Sequence, residues 1–541
     1  MLRAYRKTNE GGASALLASR RAMAFLILLA IGLPLVSPAS ESADPRMYIQ
    51  EYRVKGAHQL SRAEIEEAVY PYLGPGRTKK DVEQARAALE KAYQAKGFQT
   101  VSVQVPVQQG VRGVIVLQVT EIKVGRLRVH GSRYFSPDDI KAMAPSLAEG
   151  KVVNFNDVNR DIVTLNQLPD RRVTPTLHAG VTPGTVDIDL DVKDTPPLHG
   201  SLELNNRYSP DTTPLRLNGS ISYNNLWQLG HSIGFSFQLS PQDIEEVKVF
   251  TGYYLARIPN VDWLSLLVQG TKQDSNVATL GSLASGGRGE TIGARAIISL
   301  PGGKDFYDSL SLGLDYKRFD QNVTATGGGT VTQTSYYYYP LSTTYSGTWM
   351  GKQSQTELNA GVNFNLRGTG SDPAAFENSR YKSEGNYVYL RGDLSHTHDL
   401  PAGFQVFGKA QGQVSDQPLV SGEQFGAGGL GTVRGYLEGE QFGDDAAFGS
   451  LELRSPSLLG WMDDKAYEWR IYVFNEGGLV TIIDPLPEQT SQFELASYGV
   501  GSRVRLMDHF NGSIDAGVPL IKKSETKKRD LLLTFRLWAD F

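Results

Sequence analysis

Few stretches of this 541-residue chain concentrate side chains that could do chemistry. The run Gly426-Ala427-Gly428-Gly429-Leu430-Gly431-Thr432-Val433-Arg434-Gly435-Tyr436 sets a single arginine in a glycine-rich loop. Glycine at that density rules out a regular helix and accepts backbone angles closed to other residues, so the run folds tightly and presents Arg434. Gly230-His231-Ser232-Ile233-Gly234 has the spacing of a nucleophile elbow, which in a hydrolase puts the serine at a sharp strand-to-helix turn. Here a strand pattern follows Ser232, so the stretch reads as turn and strand. His58, His130 and His178 stand singly, the carboxylates lack metal-ligand spacing, and neither HExxH nor a Walker loop occurs. With no cysteine in the chain, disulfides, zinc–thiolate sites and thiol nucleophiles are excluded. No catalytic residue, metal or cofactor is expected. The four tyrosines Tyr336 to Tyr339 suit an interfacial girdle or a loop better than a ligand cage.

The elements that must position Arg434 follow from the rest of the chain. A net charge of −4 gives no basic footprint, so no nucleic-acid partner is expected. Basic residues from Arg3 to Arg21 precede the apolar run Ala22 to Val36, with small residues at Ser37 and Ala39, which is the layout of a cleaved signal over residues 1–39. Fifteen residues interrupted by Pro34 fall short of the ~20 needed to cross a bilayer as a helix. No later segment is apolar enough either. A membrane could then be spanned only by a closed barrel.

Residues 48–121 and 122–194 read as two copies of strand, helix, helix, strand, strand. Ser61-Arg62-Ala63-Glu64 has capping-box spacing, and Val82, Ala85, Leu89 and Tyr93 form one face of a helix over residues 80–96. Val101, Val103 and Val105 alternate in one strand. Ile115, Leu117 and Val119 share one face of the next, opposite Val114, Val116 and Gln118. In the second copy Gly131 matches Gly56, Ser136-Pro137 opens a helix, Asn154 to Leu168 forms another, and Val186 to Val192 alternates as the last strand. Small mixed domains with open sheet edges suit the holding of extended peptides by strand addition.

After Thr195-Pro196-Pro197 the character changes to short alternating segments separated by turns. Leu215, Leu217, Ile221 and Tyr223 alternate with Arg216, Asn218, Ser220 and Ser222. Ile233, Phe235, Phe237 and Leu239 alternate with Gly234, Ser236 and Gln238. The chain ends with Leu531, Leu533, Phe535, Leu537, Ala539 and Phe541 on one face and Thr534, Arg536 and Asp540 on the other. An apolar outer band with a polar interior, closed so that no edge meets hydrocarbon, is the logic of a transmembrane barrel. At ~20 residues per strand and connection, residues 198–541 make on the order of 16 antiparallel strands. The expected fold is α+β domains followed by an all-β transmembrane barrel.

Four resemblances narrow the function. The order and glycine positions of residues 48–194 resemble the periplasmic POTRA domains of the Omp85 superfamily. The closing strand resembles the assembly signal of bacterial outer-membrane barrels. Val433-Arg434-Gly435-Tyr436 resembles the VRGY motif of the sixth extracellular loop in that superfamily, where the loop folds into the lumen and its arginine pairs with an acidic residue of a wall motif, F-x-D-x-G. The match to that motif is Phe474-Asn475-Glu476-Gly477-Gly478, with Glu476 in the aspartate's place. The resemblance thus implies an inward-folded loop around 421–445 with Arg434 latched to Glu476, flanked by Val433, Gly435, Tyr436, Phe474 and Gly478. Asn166-Gln167-Leu168-Pro169, Gly184 to Asp187 and Asp194 to Tyr208 resemble the two-partner secretion transporters related to the haemolysin and filamentous haemagglutinin exporters.

That family resemblance implies a monomer in the outer membrane of a Gram-negative bacterium, among outer-membrane lipids, with POTRA domains in the periplasm. It would export a large haemolysin- or adhesin-type protein that carries an N-terminal secretion domain. About eight residues separate Ala39 from Tyr48, so no plug helix is expected, and closing the lumen falls to the folded loop. Three other classes stay open at this stage: an assembly factor that inserts other barrels, a lipase acting through Ser232, and a diffusion porin, which would leave both POTRA copies without a task.

Overall fold

The computed structural model describes residues 46–541 except 109–110, 260, 262, 276, 279–284, 287, 304, 325–330 and 461–466. The signal assigned to residues 1–39 lies outside the described residues. Two units form, residues up to 92 with 103–119, and 93–102 with 120–541.

The first small domain consists of β1 (Glu51–Lys55), α1 (Arg62–Val69), α2 (Lys79–Ala95), β2 (Ser102–Gln104) and β3 (Val114–Thr120). Helix α1 begins where the spacing places it, because Ser61 and Glu64 each accept the other's backbone N–H. Ile115, Leu117 and Val119 are buried on one face of β3, and Val82, Ala85 and Leu89 on one face of α2. The second domain repeats the order with β4 (Lys123–His130), α3 (Pro137–Ala142), α4 (Phe155–Leu165), β5 (Arg171–Ala179) and β6 (Thr185–Asp194). Both sheets place the last strand in the middle, parallel to the first, in the orders β1-β3-β2 and β4-β6-β5. Gly56 and Gly131 hold equivalent places. Each has positive φ, and a Cβ there would lie 2.4 Å from the Val119 carbonyl oxygen and 2.5 Å from that of Val192. Helix α4 differs from expectation at both ends: Asn154 caps it from outside, and it stops at Leu165. Asn166 ends it by turning its amide onto Val173, accepting from N (2.7 Å) and donating to O (3.0 Å).

The barrel follows as β7 (Leu198–Asn205), β8 (Arg216–Leu226), β9 (His231–Leu239), β10 (Lys248–Arg257), β11 (Leu264–Asp274), β12 (Arg288–Ser299), β13 (Phe306–Thr324), β14 (Val331–Tyr338 continued by Leu341–Met350), β15 (Ser354–Asn365), β16 (Tyr387–Asp399), β17 (Gln405–Ser415), β18 (Asp445–Arg454), β19 (Glu468–Thr481), β20 (Gln492–Leu506), β21 (Phe510–Pro519) and β22 (Leu532–Asp540). All pairings are antiparallel, and β22 pairs with β7 to close sixteen strands. Strand β14 is interrupted at Tyr339-Pro340, where proline lacks an N–H for the ladder. Its two parts pair with successive halves of the long β13.

Alternation sets the two faces. Ile233, Phe235, Leu533 and Leu537 point outward and are exposed, as a lipid-facing band requires, while Ser232 and Gln238 are buried inward. The four tyrosines are split by the same rule. Tyr337 and Tyr339 face out, whereas Tyr336 and Tyr338 are buried with Phe319, Phe376, Tyr387 and Tyr389. The reading as a girdle or loop therefore fails for Tyr336 and Tyr338, because a strand sends successive side chains to opposite faces.

The second domain is tied to the near end of the barrel. Asp170 Oδ1 lies 2.7 Å from His199 Nε2, the Ser136 amide donates to Gln228 Oε1 (2.9 Å), and the Asn225 amide donates to the Tyr134 carbonyl (3.3 Å). Asp194 accepts from the amides of Arg133 and Tyr134, each at 2.8 Å. At the far end of the seam, Asn206 just past β7 acts as a substitute strand residue. Its side chain accepts from Phe535 N (2.7 Å) and donates to Leu533 O (2.8 Å). Asn206→Ala removes both bonds, at an expected cost of about 1–3 kcal/mol. A lower midpoint for heat modification of the folded barrel on gels is the expected outcome, and an unchanged midpoint contradicts this role.

Candidate functional site: a loop docked in the lumen

The loop between β17 and β18 leaves the barrel at the end away from the second small domain and folds back inside. Phe425–Ala427 pairs antiparallel with Gln441–Gly443, giving the loop a short ribbon of its own. Phe425, Ala427, Val433 and Tyr436 pack on the inward wall residues Ala446, Phe448, Val480 and Leu495. Tyr436 Oη donates to the Ile521 carbonyl (2.8 Å) and accepts from the Ile521 amide (3.2 Å).

Arg434 is 4% exposed. Its backbone N–H donates to Glu476 Oε2 (2.7 Å) and its Nε to Glu476 Oε1 (3.0 Å). Nη2 reaches Glu452 Oε1 at 2.7 Å and Nη1 reaches Asp515 Oδ1 at 2.9 Å. The guanidinium carbon lies 3.7 Å from the centre of the Phe474 ring. Burial alone would lower the Arg434 pKa, but the carboxylates of Glu476, Glu452 and Asp515 outweigh it and hold the group above its ordinary value. The charge is therefore permanent. Ser450 Oγ donates to Glu476, Tyr472 Oη to Asp515 and Arg454 to Glu452, so the acids are satisfied as well.

The structure brings Arg434 and Glu476 together, though as part of a four-membered cluster rather than an isolated pair. Phe474 floors the guanidinium, and Gly478 leaves room for Phe448, whose ring a Cβ would meet at 2.4 Å. Gly435 has φ +92° and crosses the wall backbone at Gly517, where a Cβ would come within 2.6 Å of the Gly435 nitrogen. The sequence reading passed over Glu452, Asp515 and Gly517. The two acids sit at inward positions of alternating strands, and that signal could have found them. It also passed over two further anchors. Glu438 bonds Arg207 with Nε–Oε1 of 2.7 Å, and Glu440 accepts from the Thr526 amide at 2.9 Å. A cavity of about 750 Å³ adjoins the cluster, bordered by Ser220, Ser236, Lys409, Arg434 and Arg536. Ser232, by contrast, is the second residue of strand β9, with its neighbour His231 on the other face, bonded to Tyr254 Oη (2.6 Å). A strand and not a helix follows it, so the elbow geometry is absent.

Residues 184–504, more than half of the chain, match the model of the family described as haemolysin secretion/activation protein ShlB/FhaC/HecB, and residues 47–121 match the POTRA domain of ShlB type. The chain belongs to the haemolysin secretion/activation protein family. Family members of this kind are outer-membrane barrels of the Omp85 superfamily, and their POTRA region faces the periplasm. The end of the lumen from which the loop enters is thus the cell exterior. Among curated relatives, the outer membrane transporter CdiB of Escherichia coli is 24% identical over 35% of this chain, which spans 33% of that relative's length. The solved structure of CdiB from Escherichia coli superposes with a TM-score of 0.65 at 19% identity, covering 94% of this chain and 93% of that one. BamA from Haemophilus ducreyi, lacking POTRA domains 1–3, superposes with a TM-score of 0.53 at 14% identity over 92% and 100%. These likenesses are of fold.

In a double-mutant cycle of Arg434→Ala and Glu476→Ala, followed by urea unfolding of the barrel, the expected coupling is about 1–3 kcal/mol. Independent effects contradict direct contact. The exchange Arg434→Glu with Glu476→Arg is not expected to restore stability, because Glu452 and Asp515 would then face a carboxylate at position 434 in place of the cation they pair with.

Proposed function

We propose that the protein exports one large, extended partner protein across the outer membrane through its own lumen, by two-partner secretion and without nucleotide. The observation that carries this reading is the charged loop docked inside a closed barrel, in a chain that belongs to a secretion family and carries a POTRA domain. A diffusion porin needs neither the docked loop nor the POTRA domain, and the relative CdiB of Escherichia coli is an outer membrane transporter.

In this reading residues 1–39 are removed on export, and residues 48–121 and 122–194 are two POTRA domains. Residues 198–541 are the barrel, with the loop around 421–445 as its closure. The POTRA sheets have open edge strands, on which an unfolded chain can add as a further strand. Strand β5 is such an edge, since among the described residues it pairs with β6 alone. Val433, Arg434, Gly435 and Tyr436 form the lumenal latch, and Phe474, Glu476 and Gly478 form its seat. The partner is of haemolysin or adhesin type with an N-terminal secretion domain. The protein acts as a monomer among outer-membrane lipids, and the mechanism requires no catalytic residue, metal or cofactor.

Deleting the protein is expected to reduce one large exoprotein to background at the cell surface and in the medium, while other outer-membrane proteins keep their levels. Arg434→Ala is expected to reproduce much of that loss with the barrel still assembled. Unchanged exoprotein levels in the deletion strain overturn the reading, and a general fall in outer-membrane proteins points instead to an assembly factor.

A further inference from the structure

The near, periplasmic end of the lumen holds arginines that the latch does not use. One row of paired wall positions runs through Arg470 on β19, Arg503 on β20, Ser513 on β21 and Arg536 on β22. All point inward, since Ile471, Val500, Ile514 and Leu537, on the other face of the same strands, are exposed to lipid. Like charges directly opposite each other destabilise a sheet, and Arg470 and Arg503 are such a pair.

Acids on the wall account for the neighbours of Arg503 but not for Arg503. Glu468 accepts from Arg470 Nε and lies 3.4 Å from Arg505 Nη2, Glu203 pairs with Arg536 (2.7 Å), and Glu452 pairs with Arg454 (2.7 Å) besides Arg434. Asp508 lies 3.9 Å from Arg505, and Asp540 accepts from Asn511 (3.2 Å). Among the described residues Arg503 makes no hydrogen bond and no ion pair, and its guanidinium stands 5.0 Å from the centre of the Tyr472 ring. A cavity of about 220 Å³ opens beside it, bordered by Arg454, Arg470, Arg503 and Arg505, with Glu468 as the one carboxylate among the described residues that line it. It shares Arg454, Arg503 and Trp538 with the larger cavity beside the latch, so the two adjoin. Arg454 stacks on Phe407 (4.4 Å) and Arg536 on Trp538 (4.8 Å) as Arg503 does on Tyr472. Stacking holds a guanidinium by its face and leaves N–H groups at its edge for the fork that a carboxylate accepts.

We propose that this cavity receives a carboxylate side chain of the exported polypeptide as it enters the lumen, with Arg503 as the main partner, so that acidic segments are favoured at the entrance. This rests on the export reading above. A bound carboxylate supplies the counter-charge that Arg503 lacks and relieves its opposition to Arg470. The site lies between the periplasm and the latch, and Tyr472, Trp538 and Asn511 beside the arginines offer ring and amide contacts to the flanking residues of an extended chain, which a free anion does not use.

Binding of a short peptide of alternating glutamate and serine, carrying a neutral fluorophore, to the full-length protein in detergent would be followed by fluorescence anisotropy at low salt. The glutamine–serine analogue is expected to bind roughly tenfold more weakly, the scale of one charge-assisted fork. Arg503→Gln is expected to weaken the acidic peptide by the same factor, while Arg318→Gln, on the outer face of β13, leaves it within about twofold. Heat modification on gels reports assembly of each variant. Should Arg503→Gln not assemble, Asn511→Cys labelled with a bulky neutral thiol reagent fills the cavity with every arginine kept, the label being specific because the chain has no cysteine, and is expected to abolish binding. Equal binding of the two peptides, unchanged affinity in whichever of these variants assembles, or displacement of the peptide by free glutarate at the same carboxylate concentration overturns the site. In cells, Arg503→Gln is expected to lower the surface exoprotein several-fold. A deletion strain that keeps its exoprotein overturns the export reading whatever the peptide does. A deletion strain that loses it, beside an Arg503→Gln strain that exports normally, overturns this proposal alone.

Discussion

A permanent positive charge held out of water among three carboxylates is the interaction on which the position of the loop depends. Taking a guanidinium into a closed lumen costs several kcal/mol of hydration, and only near-complete pairing offsets that. The pairing here uses three wall strands at once, through Glu452 on β18, Glu476 on β19 and Asp515 on β21. Removing one acid leaves the others in place, but moving the loop by a few ångströms breaks all of them. The cluster therefore specifies where the loop sits, and the flat approach of Gly435 to Gly517 specifies how close.

The barrel makes that specification possible. Closure at the β22–β7 seam leaves no unpaired edge, and strict alternation sends apolar side chains to lipid and small or charged ones inward. Along β19, Tyr472, Phe474 and Glu476 point inward together, so ring floor and carboxylate arrive at the arginine with a fixed spacing. The same alternation turns Tyr336 and Tyr338 inward on β14, where they pack with Leu419 and Val420 of the first limb of the loop. Loop and wall are in this sense one polar network enclosed by an apolar shell.

The second small domain connects to the barrel through side chains that the sequence marks only as unusual. Asp170, His199 and Gln228 lie in or near the stretch that carries the secretion-family resemblance, and they are among the residues that tie the second domain to the near end of the barrel. Their spacing in the chain carries no sign of this. Hydrogen bonds between Asp170 and His199, or between Gln228 and Ser136, join segments that are adjacent only once both domains have folded.

Much of the architecture was legible from local rules. Capping at Ser61, the helix face of α2, the alternation in β3 and β9 and the apolar closing strand all follow from periods of 3.6 or 2 and from turn chemistry, which act within a few residues. The family motifs marked Arg434 and Glu476, and periodicity would have flagged Glu452 and Asp515 as charges on an inward face. Three matters were decided by tertiary structure alone: that Arg434 has three carboxylates rather than one, that Gly435 meets Gly517, and that Glu438 meets Arg207. Each joins residues far apart in the chain, and only the register and closure of sixteen strands bring them within hydrogen-bonding distance. Sequence by itself determined that side chains alternate between two faces along the strands; the closed barrel determined which faces meet.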